Sequence, residues 1–333
     1  MKHIGSGTVV FDKKPSLLSC GSVVGQKEGE GPLGEYFDVI VNDAYHGEKS
    51  WEKAESRFQQ HAMTVALQKG GLENEDIDFI IAGDLLNQCT SSGYALSSTQ
   101  IPYLGIFGAC STMAESLCIG AILTEDCANR VACLTSSHFC SAEKQFRTPL
   151  EYGVVRTPTA QWTVTGSGCI VLGKNKKPPY IESVTVGRIV DLGVKDANNM
   201  GAAMAPAFAD TVKRHLEALG RNASYYDLIV SGDLGLIGME MARELLLKDG
   251  IKLGDNYMDC GASIFDPEEQ DTHAGGSGCG CAASVLCGYI LPKIKSGELK
   301  RVLFAATGAL MSPTMTMQGE NIPSISHAIS LEA

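Results

Sequence analysis

The feature that most restricts the possible fold is an internal repeat in the amino-acid sequence. Residues 77–85 closely resemble residues 226–234, so that Gly83-Asp84 recurs as Gly232-Asp233 at an offset of 149 positions. Such self-similarity is typical of a structural unit that has been duplicated. The 333 residues therefore predict two related halves rather than two unrelated domains.

A second similarity supports the duplication and indicates an insertion in the second half. Residues 110–130 resemble residues 281–301 at an offset of 171 positions, without a gap. Because this offset is larger than the first, the second half carries 22 additional residues between its matching segments. The insertion contains residues 266–278, which end in a glycine-rich loop.

Matching helices are predicted in the two halves. An apolar stripe at helical spacing predicts one helix over residues 51–69 and another over residues 200–219. Gly71 and Gly220 follow these segments at equivalent positions of the repeat. Glycine just past the last turn is the expected end of a helix.

Short apolar runs predict the strands. Residues 77–81 and 228–230 have the continuous apolar character of strands buried on both faces. Their alternation with helices indicates an α/β fold with parallel pairing through right-handed crossovers. Further strands are predicted over residues 161–172 and 180–190, on either side of a turn rich in Lys and Pro at residues 173–179.

That turn favours a boundary between the halves. The N-terminal half is predicted to comprise residues 1–175 and to carry Cys110. The C-terminal half is predicted to comprise residues 176–333 and to carry His273 in the glycine-rich loop.

Charge and composition exclude several classes of protein. The chain has 38 acidic and 27 basic residues and a net charge of −11, which argues against a nucleic-acid partner because such proteins normally present a basic face. No apolar run approaches the ~20 residues of a membrane helix, so a soluble protein is expected. The 12 cysteines lie mostly in apolar runs without a CxxC pair, and most are expected to be reduced core thiols.

Cys110 is the first candidate for chemistry. It follows an apolar, strand-like segment and a Gly-Ala pair, and it opens a helix of small residues. A thiol at a helix N-terminus lies close to the partial positive charge of the helix end, which lowers the pKa of the thiol. The same backbone N–H groups can bind an anionic ligand instead. A buried cysteine without a chemical role is the alternative.

His273 is the second candidate. It lies in the glycine-rich loop directly before the helix that mirrors the helix after Cys110. Gly275 and Gly276 allow the backbone of this loop to approach a ligand closely. Because pseudo-symmetry allows the two helix starts to face one another, Cys110 and His273 would form a nucleophile–base pair. An exposed loop histidine is the alternative.

Other polar residues follow the ends of predicted strands, where ligands of parallel sheets usually bind. Asp84 and Asp233 end the repeated strands. Helix capping is the favoured interpretation of Asp84, whereas capping and ligand binding are both open for Asp233. His138 also follows a strand end, and a core or capping role is favoured there over ligand binding.

Three cations, Lys144, Arg147 and Arg156, precede the strand at residue 161. They would attract a carboxylate, and a solvated surface is the alternative. The sequence has neither the ligand spacing of a metal site nor a nucleotide-binding loop, so no metal site and no cofactor are expected.

The duplicated plan, with a cysteine at a helix start of the first half, resembles the thiolase fold. The resemblance implies two pseudo-symmetric halves, each with a mixed five-stranded sheet and helices in layers. It places Cys110 at the position of the catalytic cysteine and His273 at that of the catalytic histidine. Residues 231–235 and 305–311 depart from the thiolase pattern, because an Asn or His and a second Cys are missing there. Without these residues the chain lacks the base or the oxyanion partner that carbon–carbon bond formation needs. Both catalytic residues are therefore expected to be vestigial.

Several longer motifs are similar to those of a family of sporulation proteins, the stage V sporulation protein AD family. They are residues 82–88, 108–115, 158–166, 307–313 and 319–328. The resemblance implies a thiolase-like protein of spore-forming bacteria that binds dipicolinic acid. Calcium is expected to accompany this ligand, and membrane proteins of the same operon are expected as partners at the inner forespore membrane. The resemblance to the thiolase fold also implies a homodimer, which is the usual oligomeric state of proteins with that fold.

Three hypotheses about function remain open. The first is a binding protein whose former acyl-substrate pocket holds dipicolinate and supports its uptake into the spore, with ligand contacts from Cys110, His138, Gln161, Thr163, Asp233, His273, Gly275 and Gly276. Trp162 would alternate toward the core. The second is an acyltransferase with Cys110 as nucleophile and His273 as base. The third is a scaffold for membrane partners.

Overall fold

The computed structural model describes residues 1–146, 156–174 and 177–333. Arg147, one of the candidate cations, lies outside the described residues, and so does the predicted boundary at residues 175 and 176. Within the described ranges, no helix has the length and apolar character needed to cross a bilayer.

The strands and helices alternate through both halves. The strands are β1 (Lys2–Ile4), β2 (Thr8–Val10), β3 (Ser16–Gly25), β4 (Val39–Val41), β5 (Phe79–Gly83), β6 (Tyr103–Gly105), β7 (Arg130–Ser137), β8 (Trp162–Thr163), β9 (Gly166–Gly173), β10 (Tyr180–Thr185), β11 (Leu228–Ser231), β12 (Tyr257–Asp259), β13 (Gly276–Ser277), β14 (Arg301–Ala309) and β15 (Ser324–Glu332). The helices are α1 (Gln26–Gly29), α2 (Trp51–Gly70), α3 (Thr90–Leu96), α4 (Thr112–Asp126), α5 (Phe139–Phe146), α6 (Met200–Leu219), α7 (Gly235–Lys248), α8 (Cys260–Ile264), α9 (Cys279–Val285), α10 (Leu291–Lys295) and α11 (Pro313–Met317).

Ten strands form one path in the order β12-β11-β14-β15-β10-β3-β9-β7-β5-β6. The first five come from the second half and the last five from the first half. In each set two antiparallel pairings are followed by two parallel pairings toward the outer edge. The sets meet where Tyr180 of β10 pairs with Ser16 of β3. This identical pattern confirms the duplicated α/β fold with five mixed strands in each half.

The two long helices predicted from the sequence are confirmed as α2 and α6, and each ends where the sequence predicts. Helix α2 ends at Gly71 and helix α6 ends at Gly220, and both glycines adopt left-handed conformations with φ of 61° and 63°. Only glycine takes this conformation without a steric cost, which is why the repeat has glycine at both positions. Ser50 and Asn199 accept hydrogen bonds from the first turns of the same helices.

Two predicted strands are shorter than the sequence indicates. The segment at residues 161–172 divides into β8 and β9, because β8 pairs with β13 of the glycine-rich loop instead of joining the main path. The segment at residues 180–190 ends as a strand at Thr185, and Val190 makes only an isolated bridge to Ser324. In both places a partner distant in sequence decides where regular pairing stops.

Helices α4 and α9 lie at the centre of the fold, in contact with each other. One apolar cluster spans both halves and includes Met113 and Leu117 of α4 as well as Cys281 and Val285 of α9. Helices that are apolar all round are expected in such a buried layer. Their N-terminal ends face one another, since the Cys279 thiol donates a hydrogen bond to the carbonyl of Ala109 at 3.0 Å.

Candidate functional site

A cavity of about 260 Å³ lies beside the ends of β5 and β14 and is lined by both halves. Its polar wall includes Cys110, Gln161, Thr163 and Ser277. Its apolar wall includes Leu85, Phe107, Phe146, Met204 and Met311. The cavity therefore combines an apolar surface with a small number of convergent polar groups, which is the usual character of a small-molecule site.

Cys110 lies at the cavity because of the turn that precedes α4. Ala109 has a positive φ of 50°, and α4 begins only at Thr112, two residues later than predicted. Gly308 of β14 packs directly on this turn. A Cβ atom added to Gly308 would lie 2.1 Å from the carbonyl oxygen of Gly108. Only glycine permits that approach. The Cys110 sulfur lies 3.9 Å from the Ser277 hydroxyl.

Asp233 lies behind the polar wall and is fully buried. Its carboxylate accepts hydrogen bonds from the Ser277 hydroxyl at 2.8 Å, the Gly278 N–H at 3.0 Å and the Thr307 hydroxyl at 2.9 Å. The side chain does not cap α7, which was one of its two interpretations. It joins the glycine-rich loop to β14 and supports the serine that contacts Cys110.

The electrostatics of Cys110 are the reverse of the expectation from its place before a helix. Burial raises the pKa of the Cys110 thiol well above its usual value, and the negative charge of Asp233 raises it further. Burial also raises the pKa of Asp233. Desolvation and a neighbouring carboxylate outweigh the partial charge of the helix end, so the thiol stays protonated.

Asp259 is a buried carboxylate that sequence reasoning missed. It accepts hydrogen bonds from the Ser231 hydroxyl at 2.6 Å, the N–H groups of Leu234 at 2.8 Å and Gly235 at 2.9 Å, and the Ala262 N–H at 2.9 Å. It therefore holds the first residues of α7 and α8 together. An Asp followed by the small residues of a helix start is a capping signal, and that signal was present in the sequence.

Gln161 and Thr163 line the cavity as predicted. The Gln161 amide donates hydrogen bonds to the carbonyls of Asp233 at 2.7 Å and Gly276 at 2.8 Å, so its orientation is held from two sides. Trp162 points away from the cavity, stacked on Phe139 at a ring distance of 3.8 Å. The two-residue period of β8 explains this alternation.

The structure does not bring His273 to Cys110. The His273 Nε2 atom lies 3.7 Å from the carboxylate of Asp271, whose side chain is 90% exposed. The loop turns back along β8 directly after it, since the Ala274 N–H donates to the carbonyl of Ala160 at 3.1 Å. The expected cysteine–histidine pair is therefore absent, and His273 does not line the cavity.

The glycines after His273 shape the loop instead of lining the cavity. The Gly275 N–H donates to the Thr272 carbonyl at 3.0 Å, and the Gly275 carbonyl accepts from Trp162 at 2.8 Å. Gly276 offers its carbonyl to Gln161. Gly275 and Gly276 do not line the cavity, and Gly276 helps to place Gln161, which does.

His138 also lies away from the cavity lining. Its Nε2 atom is 2.8 Å from the carbonyl of Ala44, and its Nδ1 atom accepts a hydrogen bond from the Cys140 N–H at 3.2 Å. Burial lowers the pKa of His138. This is the capping role that the sequence favoured, and His138 lies outside the lining of this cavity.

The remaining sequence candidates have structural contacts. Asp84 accepts hydrogen bonds from the N–H groups of Leu86 and Ser92, in agreement with a cap near the start of α3. Lys144 pairs with Glu52 at 2.6 Å. The Arg156 guanidinium lies over the Trp162 ring. In the described parts of the chain, no group of three or more His, Cys, Asp or Glu side chains is arranged to hold a metal ion.

Comparison with known proteins identifies close relatives by sequence. The family model described as stage V sporulation protein AD matches residues 5–332. Stage V sporulation protein AD of Bacillus subtilis (strain 168) is 44% identical over 333 residues, which cover 100% of this chain and 98% of that protein.

Solved structures with the same fold are much more distant in sequence. The 3-oxoacyl-[acyl-carrier-protein] synthase III of Aquifex aeolicus VF5 has a TM-score of 0.60 at 13% identity, covering 96% of this chain and 100% of that chain. Cerulenin-bound OleA of Xanthomonas campestris has a TM-score of 0.61 at 13% identity and covers 98% of both chains. At this identity the similarity shows a shared fold, that of thiolase-like condensing enzymes.

Proposed function

The chain belongs to the stage V sporulation protein AD family, and from that membership and the cavity we propose that it binds dipicolinic acid, together with calcium, during spore formation. The observation that carries the proposal is an open cavity in which the thiol at the catalytic position is held protonated. Such a site keeps room for a ligand while its nucleophile is inactive. This combination favours binding over turnover.

The size and walls of the cavity support a flat aromatic ligand. An engineered protein cavity of about 150 Å³ accommodates benzene, so 260 Å³ leaves space for a ring with two carboxyl groups. Leu85, Phe107 and Met311 would cover the ring faces. The Thr163 hydroxyl lies on the polar wall, where a carboxylate needs donors. The single O–H of Ser277 already donates to Asp233, so Ser277 shapes this wall without donating to the ligand.

Charge supports a ligand that arrives with its own cation. The net charge of −11 and the buried Asp233 behind the wall both disfavour a free dianion. A calcium chelate of dipicolinate carries less negative charge than the free dianion. We further propose that the chain works as a homodimer at the inner forespore membrane, with membrane proteins of its operon as partners.

Isothermal titration calorimetry is expected to show saturable binding of dipicolinate, tighter in the presence of equimolar calcium. The Ala309→Phe variant places a ring at the cavity lining and is expected to weaken binding at least tenfold, because the ligand and the new side chain compete for the same volume. Ala44→Phe makes the same change on an exposed loop and should leave the affinity unchanged. Absence of saturation at millimolar dipicolinate, with and without calcium, would rule out the proposal.

Acyl transfer is the second candidate function. The observation that favours it is the position of Cys110 at the cavity wall, in a fold shared with condensing enzymes. Ser277 links its thiol to the carboxylate of Asp233, which would have to serve as the base in place of His273.

Incubation with a panel of short acyl-coenzyme A thioesters at neutral pH is expected to leave the intact mass unchanged. The raised pKa of Cys110 keeps the thiolate fraction small, and the thiolate is the reactive form. Intact-mass spectrometry measures this directly. A mass increase that disappears in the Cys110→Ala variant would support the acyltransferase and contradict a purely binding role.

A further inference from the structure

Asp259 holds the turn at residues 231–235. This turn supports two residues of the polar wall of the cavity. One carboxylate oxygen accepts from the Ser231 hydroxyl and the Leu234 N–H, and the other accepts from the N–H groups of Gly235 and Ala262. The side chain is 1% exposed. All four donors converge on one carboxylate, so both oxygens are fully used in its ionised form.

The same turn leads directly to the cavity. Asp233 lies between Ser231 and Leu234, both held by Asp259. The carbonyl of Asp233 accepts the amide of Gln161, and its carboxylate accepts the hydroxyl of Ser277. Gln161 and Ser277 both line the cavity. Any movement of the turn therefore displaces two groups of the polar wall at once.

We propose that Asp259 is a positioning residue that makes ligand affinity depend on pH near neutrality, because only its ionised carboxylate can accept all four hydrogen bonds of the turn. This inference rests on the proposed binding of dipicolinate in the cavity. Protonation of Oδ1 places an O–H against two backbone N–H groups, and protonation of Oδ2 places it against the Leu234 N–H and reverses the hydrogen bond with the Ser231 hydroxyl. The turn then loses an acceptor, and Gln161 and Ser277 lose their support.

Asp259 titrates within the pH range of the proposed effect, between pH 6 and pH 8. Burial raises the pKa of Asp259 from its usual 3.8 to about 7, and the hydrogen-bond donors oppose this increase. Because the folded-state pKa is about 7, the carboxylate is ionised at pH 8 and mostly protonated at pH 6. The carboxyl groups of dipicolinic acid are ionised throughout this interval, so the ligand itself contributes no titration.

The other charged and titratable groups around Asp259 come from every neighbouring element. They are Asp233 on the turn, Tyr257 on β12, Cys260 on α8 and Cys281 on α9, and Arg243 and Glu240 of α7 act on Tyr257. Burial raises the pKa values of Tyr257, Cys260 and Cys281 well above their usual values, so these three stay neutral between pH 6 and 8. Asp233 is the group whose titration must be separated from that of Asp259.

The experiment is a pH series of dipicolinate affinities measured by calorimetry with the full-length chain. In the wild-type protein the dissociation constant is expected to be about tenfold weaker at pH 6 than at pH 8, because about a tenth of the molecules hold the competent turn at the lower pH. The Asp259→Asn variant is expected to bind weakly with a flat profile. Asp233→Asn should retain the pH dependence, although its affinity is lower.

Glu28→Gln is the matched control. Glu28 is a fully buried carboxyl whose pKa is also raised to about 7 by burial, and it accepts the Thr165 N–H at 2.9 Å instead of the turn. This variant should keep the wild-type profile. A wild-type affinity that is constant between pH 6 and 8 overturns the inference even if Asp259→Asn fails to fold. Loss of the pH dependence in Glu28→Gln or Asp233→Asn also overturns it. Absence of binding at every pH would instead refute the proposed function and this inference with it.

Discussion

Replacing Asp233 with alanine is expected to lower the free energy of unfolding by about 2 kcal/mol or more. The substitution leaves two buried donors without an acceptor, the hydroxyl of Thr307 and the N–H of Gly278, and it also removes the acceptor of the half-buried Ser277 hydroxyl. Each orphaned buried donor costs about 1–3 kcal/mol. Removal of a buried negative charge offsets part of this cost, so the expected value lies at the low end of the sum.

The same substitution is expected to abolish detectable dipicolinate binding. Ser277 lines the cavity and loses its anchor, and the turn that holds Gln161 loses its link to β14. Asp233→Asn should be less damaging, because an amide oxygen still accepts one of the three donors. Urea unfolding followed by circular dichroism measures the stability, and calorimetry on the folded variants measures the binding.

Asp227→Ala provides the matched control in the same half. Asp227 is exposed and accepts the N–H groups of Lys300 and Arg301, both at 2.8 Å. Because water can replace an exposed acceptor, its loss should cost at most about 1 kcal/mol and leave binding intact. Equal destabilisation by the two substitutions would contradict the central role given to Asp233.

Stability is expected to decrease by roughly 3 kcal/mol between about pH 6.5 and pH 8.5, on a scale of 1.36 kcal/mol for each pKa unit. Burial raises the pKa values of Glu28 and Asp259 to about 7 and also raises that of Glu55. In the unfolded chain these carboxyls are ionised above pH 5. The folded chain therefore binds more protons, and its stability is lost as pH rises through the folded-state values.

Two histidines set the acidic limit of the stable range. Burial lowers the pKa of His215 to about 3 and that of His327 to about 4. Both stay neutral in the folded protein while the unfolded chain takes up protons below about pH 6.5. Their contribution is present above that pH and is lost as pH falls toward the folded-state values.

Urea unfolding at half-unit pH intervals measures this dependence. Glu28→Gln removes one of the three carboxyls whose pKa is raised, and it should reduce the slope of stability against pH above pH 6.5. Glu48→Gln changes a half-buried loop residue and should leave the slope unchanged. Stability that increases from pH 6.5 to pH 8.5 would contradict the assignment of neutral buried carboxyls.

The site was only partly predictable from the sequence. Cys110, Gln161 and Thr163 reach the cavity as expected, because their places follow from local signals: a turn before a helix and the two-residue period of a strand. His273 does not, although its loop was correctly related to the start of α9. The direction of that side chain depends on the pairing of β13 with β8, which no local pattern encodes.

The residues that sequence reasoning missed have the same explanation. Ser277, Thr307 and Asp259 are ordinary polar residues in their own segments. They become important because three segments distant in sequence converge on Asp233 and its turn. Polar residues of this kind carry no periodic signal, and their role is visible only through their partners.

The sequence by itself determined the duplication, the order of helices and strands in each half, the glycine ends of α2 and α6 and the acidic character of the chain. These properties depend on short-range spacing and on composition, which are legible without a structure. The tertiary structure alone decided that the thiol of Cys110 is protonated, that Asp233 takes the place beside it and that His273 turns away. Burial and long-range hydrogen bonds set those outcomes, because desolvation and partner identity exist only once distant segments have packed together.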